Sequence, residues 1–143
     1  MSVKIGNIVN DVKKEFQKSY MKFGKVEDRA DYKFIMMICN KFPNFQISNG
    51  FPKYLLADEW EVVYDIFGNY DVKNAIDNRD EIFFKFINFV EDCAKNSEFK
   101  RSVECVFDGV YGILGISDLY GVFGKNTIQI WREYTKDWKN LKI

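Results

Sequence analysis

The sequence predicts an all-α fold, and three observations carry that prediction. Apolar residues recur at helical spacing through most of the chain. Only Pro43 and Pro52 interrupt it, and no segment alternates with period two between hairpin turns. With 47% hydrophobic and 17% aromatic residues, a chain of 143 residues has ample material for a core. The expected architecture is a single domain over residues 1–143, an irregular antiparallel bundle of about six to seven helices.

The first helix carries Ile5, Val9, Val12, Phe16, Tyr20 and Phe23 in steps of three and four, with Gly24 as its stop. Lys14, Lys18 and Lys22 fall on its far side and read as a solvated face. A second helix starts near Asp28, places Phe34, Ile35, Ile38 and Phe42 inward, and ends before Pro43. PNFQISNGFP, with two prolines, two asparagines and a glycine, reads as a loop. The third helix, about residues 53–67, has Leu56, Trp60, Val63 and Phe67 on one side and stops at Gly68.

NYDVKNAIDN is a short acidic connection with room for one helical turn, and Asp77 or Asn78 is placed to cap the fourth helix. That helix contains DEIFFKFINFVEDC, with Ile82, Phe86, Phe89, Val90 and Cys93 as its inner face. After Asn96-Ser97, Phe99, Val103, Val106, Val110 and Leu114 keep the period in a fifth helix. GILGISDLYGVFGKN holds four glycines and a short helix capped by Ser117. VYGILGI is the nearest approach to a strand, though its glycines equally suit close helix packing. The last helix begins at Thr127 and buries Ile128, Trp131, Tyr134, Trp138 and Leu141.

The chemistry is limited by what is missing. With no histidine, Ser–His and Cys–His catalysis and the usual zinc sites are excluded. Cys39, Cys93 and Cys105 form no CxxC pair and sit in apolar helical patterns, as reduced, buried small hydrophobes do. GVYGILGISDLYGVFGK matches neither dinucleotide nor P-loop spacing, and the acids match no calcium loop. WREYTKDWKNLK interleaves aromatics with lysines, but Trp131, Tyr134 and Trp138 share one helical face, and the chain is formally neutral. The sequence therefore predicts no enzyme, no catalytic residue, no metal, no cofactor and no direct nucleic-acid contact. MSVKIGNIVNDVKKEF lacks the apolar run of a secretory signal, and no stretch reaches the roughly 20 apolar residues that span a bilayer. The expected compartment is the cytoplasm, with no membrane contact.

Charge is unevenly distributed along the chain. Residues 1–57 hold ten Lys/Arg and five Asp/Glu, residues 58–109 six and thirteen, and residues 110–143 five and three. At about 100° per residue, Asp58, Glu61 and Asp65 lie opposite the apolar stripe of the third helix. Asp80, Phe84 and Glu91 lie opposite that of the fourth, with Ile87 beside them, and Glu104 and Asp108 face away from the core stripe of the fifth. Phe84 reads two ways: covered within a central helix, or an aromatic anchor in an acidic surface for a basic partner.

The segments NKFPNFQISNGFPKYLLADEWEVVYDIFG and FFKFINFVEDCAKNSEFKRSVECVFDGVYGIL, within about residues 34–115, resemble helical bacterial immunity proteins. These are small cytoplasmic antidotes to contact-dependent and other polymorphic toxins. The resemblance implies inhibition by binding, in which the protein occludes the active site of a cognate toxin domain, often a basic nuclease. The surface expected to do so comprises Asp58, Glu61, Asp65, Asp80, Phe84 and Glu91. The alternative is a helical adaptor or regulatory protein that binds another protein or peptide.

Overall fold

The structure, a computed structural model, describes residues 2–136. The protein is predominantly helical: the described residues form eight α-helices, several 3-10 turns and one two-stranded sheet. The chain divides into two compact units, Met1–Asp71 and Val72–Ile143.

The first unit opens with strand β1 (Ser2–Lys4), a 3-10 turn (Ile5–Ile8) and helix α1 (Val9–Tyr20). Further 3-10 turns at Met21–Phe23 and Val26–Asp28 lead to α2 (Ala30–Lys41). Strand β2 (Gln46–Ser48), a 3-10 turn at Lys53–Ala57 and α3 (Glu59–Gly68) complete it. Ile5, Val12 and Phe16 are buried, as are Phe34, Ile35 and Ile38 of α2 and Leu56, Val63 and Phe67 farther on. The ring of Phe16 meets that of Tyr32 edge-on at 5.2 Å, joining α1 to α2.

The expectation of a plain loop at PNFQISNGFP is corrected. Ser2, Val3 and Lys4 pair antiparallel with Ser48, Ile47 and Gln46. The pairing continues through Ile5 N–H donating to Phe45 O at 2.7 Å and Gly6 N–H donating to Pro43 O at 2.9 Å. Phe45 and Ile47 are buried while Gln46 and Ser48 are half-buried, a period-two pattern too short to register beside the turn residues around it. Gly6 allows the close approach, since a Cβ there would lie 2.5 Å from Pro43 Cβ.

Phe23 is also corrected. It is 78% exposed rather than part of the α1 stripe. The α-helix ends at Tyr20, and the tighter 3-10 winding of the next three residues rotates Phe23 off the buried face. Gly24, at φ 111°, then turns the chain.

The second unit holds α4 (Val72–Asp77), α5 (Glu81–Ala94), a 3-10 turn (Ser97–Phe99), α6 (Lys100–Tyr111), α7 (Ile116–Val122) and α8 (Lys125–Thr135). Helix α5 packs against α4, α6 and α8. Its buried face is therefore wider than one stripe: Phe83, Phe86, Ile87, Phe89, Val90 and Cys93 are all buried. Ile82, expected inside, is 46% exposed, whereas Phe83 is fully buried. Ile82 shares the buried phase but lies in the first turn of the helix, and Phe83 and Ile87 widen the buried arc.

Among the described residues Trp131 is the largest fully buried side chain. Its indole N–H donates to Val103 O at 2.9 Å, and its ring sits 5.3 Å from Phe107 and 4.6 Å from Phe123. The α5 cap is Asp80, not Asp77 or Asn78, and Gly115 rather than Ser117 precedes α7. VYGILGI ends α6, turns and enters α7. The last helix starts at Lys125, and Trp138 and Leu141 lie outside the described residues.

Candidate functional site

Helix α3 presents its aromatic and acidic residues in a definite arrangement. Asp58 precedes the helix in an extended conformation, and its Oδ1 accepts the Glu61 N–H at 3.2 Å, which satisfies one of the orphan donors of the first turn. Trp60 and Tyr64, one turn apart, stack with ring centroids 5.2 Å apart and planes 21° from parallel. Tyr64 is 53% exposed, while Trp60, expected within the apolar stripe, and Glu61 are half-buried beside it. Helical spacing puts Trp60, Glu61 and Tyr64 on one outward arc, with Val62, Val63, Ile66 and Phe67 buried on the remainder. An aromatic pair edged by carboxylates thus reaches solvent from one rigid element.

Asp65 is turned to a structural task. Its Oδ2 accepts Ser48 N–H at 2.7 Å and its Oδ1 accepts the Ser48 hydroxyl at 2.9 Å. Asn69 Nδ2 donates to the same carboxylate at 3.2 Å. The carboxylate therefore closes the edge of β2 that β1 does not pair, where an open strand edge would otherwise sit.

Glu91 is the larger departure from the outward-facing position expected for it. Its Oε1 accepts Thr127 N–H and the Thr127 hydroxyl, both at 2.9 Å. Its Oε2 accepts Asn126 N–H at 3.1 Å and Asn126 Nδ2 at 2.6 Å. A carboxylate from α5 thus caps the first turn of α8, where the helix dipole also favours negative charge. Burial raises the carboxyl pKa, but the hydrogen bonds from Thr127 and Asn126 outweigh it and hold the group below the usual carboxylate range. Gly124 makes room, since a Cβ there would lie 2.5 Å from the Glu91 carboxyl. Ile87, one turn before Glu91, is buried on the same side.

The remaining positions are local. Asp80 Oδ1 accepts Phe83 N–H at 2.9 Å and caps α5. Phe84 is half-buried, with the Arg79 guanidinium 5.7 Å from its ring centroid. Asp108, expected to face away from the core, accepts the Tyr134 hydroxyl at 2.8 Å, and burial followed by that bond raises the Tyr134 pKa. Asp58, Glu61 and Asp65 belong to the first unit, and Asp80, Phe84 and Glu91 to the second. The acid-rich stretch is cut by that boundary, so residues 1–71 carry ten bases and ten acids, and residues 72–143 eleven of each.

Nothing in this arrangement pairs a nucleophile with a base. Cys39, Cys93 and Cys105 are buried and unbridged, and burial pushes the Cys39 thiol up to about 12. Among the described residues no group of three acids or cysteines could hold a metal ion. A half-open cavity of ≈ 210 Å³ in the first unit is lined by Val3, Ile8, Ile47 and Leu56, with Asp11 and Lys53 among its polar groups. Helical spacing did not single out Tyr64, the exposure of Trp60, or the roles of Asp65 and Glu91. The i, i+4 aromatic pair is visible in the sequence, but its exposure is not. No known protein family, curated protein or solved structure matches this chain.

Proposed function

We propose that the protein is an immunity protein that binds and neutralises a basic toxin domain, and that α3 supplies the docking surface. The observation that carries this reading is the exposed Tyr64 ring stacked on the half-buried Trp60, with Asp58 and Glu61 alongside. Stacked aromatics offer large contact area at low entropic cost, the usual make-up of an interface anchor. The neighbouring carboxylates draw a basic partner to that anchor and speed encounter. Asp65 and Glu91 leave the proposed surface because their oxygens are engaged within the fold.

The test takes the product of the gene adjacent to the one for this chain, expressed in cells and as purified protein; a product that does not arrest growth overturns the immunity reading. Co-expression of the wild-type chain restores growth. Tyr64→Ala raises the dissociation rate about tenfold or more, the effect of losing a central aromatic. Asp58→Asn with Glu61→Gln keeps the α3 cap, lowers the association rate several-fold and flattens its salt dependence. Lys73→Ala with Lys95→Ala serves as control. Growth arrest that the wild-type chain does not relieve overturns the immunity reading. Protection unaffected by all the α3 variants overturns the α3 site alone.

A further inference from the structure

The C-terminal end of α1 carries exposed apolar and basic groups that the α3 reading does not invoke. Phe23, 78% exposed, and Met21, 71% exposed, sit two residues apart on the 3-10 turn that ends the helix. Single exposed apolar side chains are ordinary, but these two flank Lys22, and Lys18 and Lys25 lie on either side in sequence. Lys14 and Lys18 lie one turn apart on the outer face of α1, Lys22 follows on the 3-10 turn, and all three are exposed, as is Lys25. Within this set, Lys18 lies 4.0 Å from the Glu15 carboxylate. Gly24 follows at φ 111°, and Met21 and Phe23 form the exposed apolar tip of the turn before it.

The lysines call for an anionic partner, and the tip selects among anionic partners. Protein interfaces are depleted in lysine at their apolar centres, whereas here lysine stands between the two apolar groups. Single-stranded nucleic acid is held by stacking on aromatic faces, which Met21 lacks. Short apolar tips ringed by lysines suit a bilayer surface, where the apolar groups enter the acyl boundary and ammonium groups remain at the phosphates. No helix among the described residues is long and apolar enough to cross a membrane, so the contact lies on the surface.

We propose that Met21 and Phe23 insert into the interface of an anionic lipid bilayer while Lys14, Lys18, Lys22 and Lys25 lie against its headgroups. This runs against the sequence expectation of no membrane contact and stands independently of the toxin reading. The test is flotation of the full chain with vesicles of phosphatidylcholine alone, or of equal parts phosphatidylcholine and phosphatidylglycerol. The chain floats with the anionic vesicles at low salt, and high salt releases it. Lys22→Ala with Lys25→Ala weakens partitioning about 25-fold, near fivefold per lysine. Met21→Ser with Phe23→Ser abolishes flotation while circular dichroism stays unchanged, because both side chains lie outside the core. Lys73→Ala with Lys95→Ala, which removes the same charge elsewhere, leaves flotation intact. Failure to bind anionic vesicles overturns the proposal. So does binding that the tip variants leave unchanged, or that the control pair weakens equally.

Discussion

Phe86 and Ile82 lie one turn apart on α5, yet one is fully buried and the other 46% exposed. Phe86→Ala should cost about 3–5 kcal/mol, and Phe83→Ala a similar amount, because each leaves a cavity in packed surroundings. Ile82→Ala should cost less than about 1 kcal/mol. Urea unfolding of the three variants separates these cases, and a large loss at Ile82 contradicts the packing described. The cysteines give a second residue-scale expectation. With Cys39 pushed to about 12 and all three thiols buried, none should react with Ellman's reagent at mild alkaline pH until the protein unfolds. Fast labelling of the native protein would contradict this. Helical spacing alone identified Phe86, Phe89, Val90 and Cys93 as inward, because those positions are covered whichever neighbour packs there. It missed Phe83 because the width of a buried arc depends on how many elements press against it.

The fate of α8 rests on a contact between elements. Glu91→Gln keeps the shape but replaces an acceptor oxygen by an amide that faces the N–H groups of Asn126 and Thr127. That change should cost about 1–3 kcal/mol at neutral pH. Gly124→Ala, which would press on the same carboxyl, should also destabilise. The pH dependence has a definite sign. Because the folded-state pKa of Glu91 is lowered, its contribution is complete above the ordinary carboxyl value of 4.5. It fades as pH falls below 4.5 and is lost once pH passes the lowered folded-state value. Wild type and Glu91→Gln should therefore converge in stability on acidification, as followed by denaturant unfolding at a series of pH values; a constant gap would contradict the clasp. Asp65→Ala is the counterpart in the first unit, leaving Ser48 N–H without its acceptor. Neither contact was legible in the sequence, where Asp65 and Glu91 showed only the outward phase of their own helices. Each partner comes from an element far along the chain, and a helical wheel holds no such information.

Across the whole molecule, charge balance has a direct consequence. Each unit is formally neutral and the sequence pI is about 6.3, so little net repulsion opposes association near that pH. Light scattering across a pH series should show greatest self-association around pH 6.3, receding on either side and with Met21→Ser/Phe23→Ser; a flat profile would contradict this. By itself the sequence determined the all-α class, nearly every helix and most inward residues, because local periodicity records which face avoids water. It also determined that histidine-based chemistry is impossible here. Only the tertiary structure decided that PNFQISNGFP holds a strand, that the chain divides at Asp71, and that Glu91 and Asp65 serve the fold while Trp60 and Tyr64 reach solvent. Strand pairing, capping across elements and exposure all depend on residues distant in sequence but close in space. Their free energy belongs to the pair, so no single segment carries its signature.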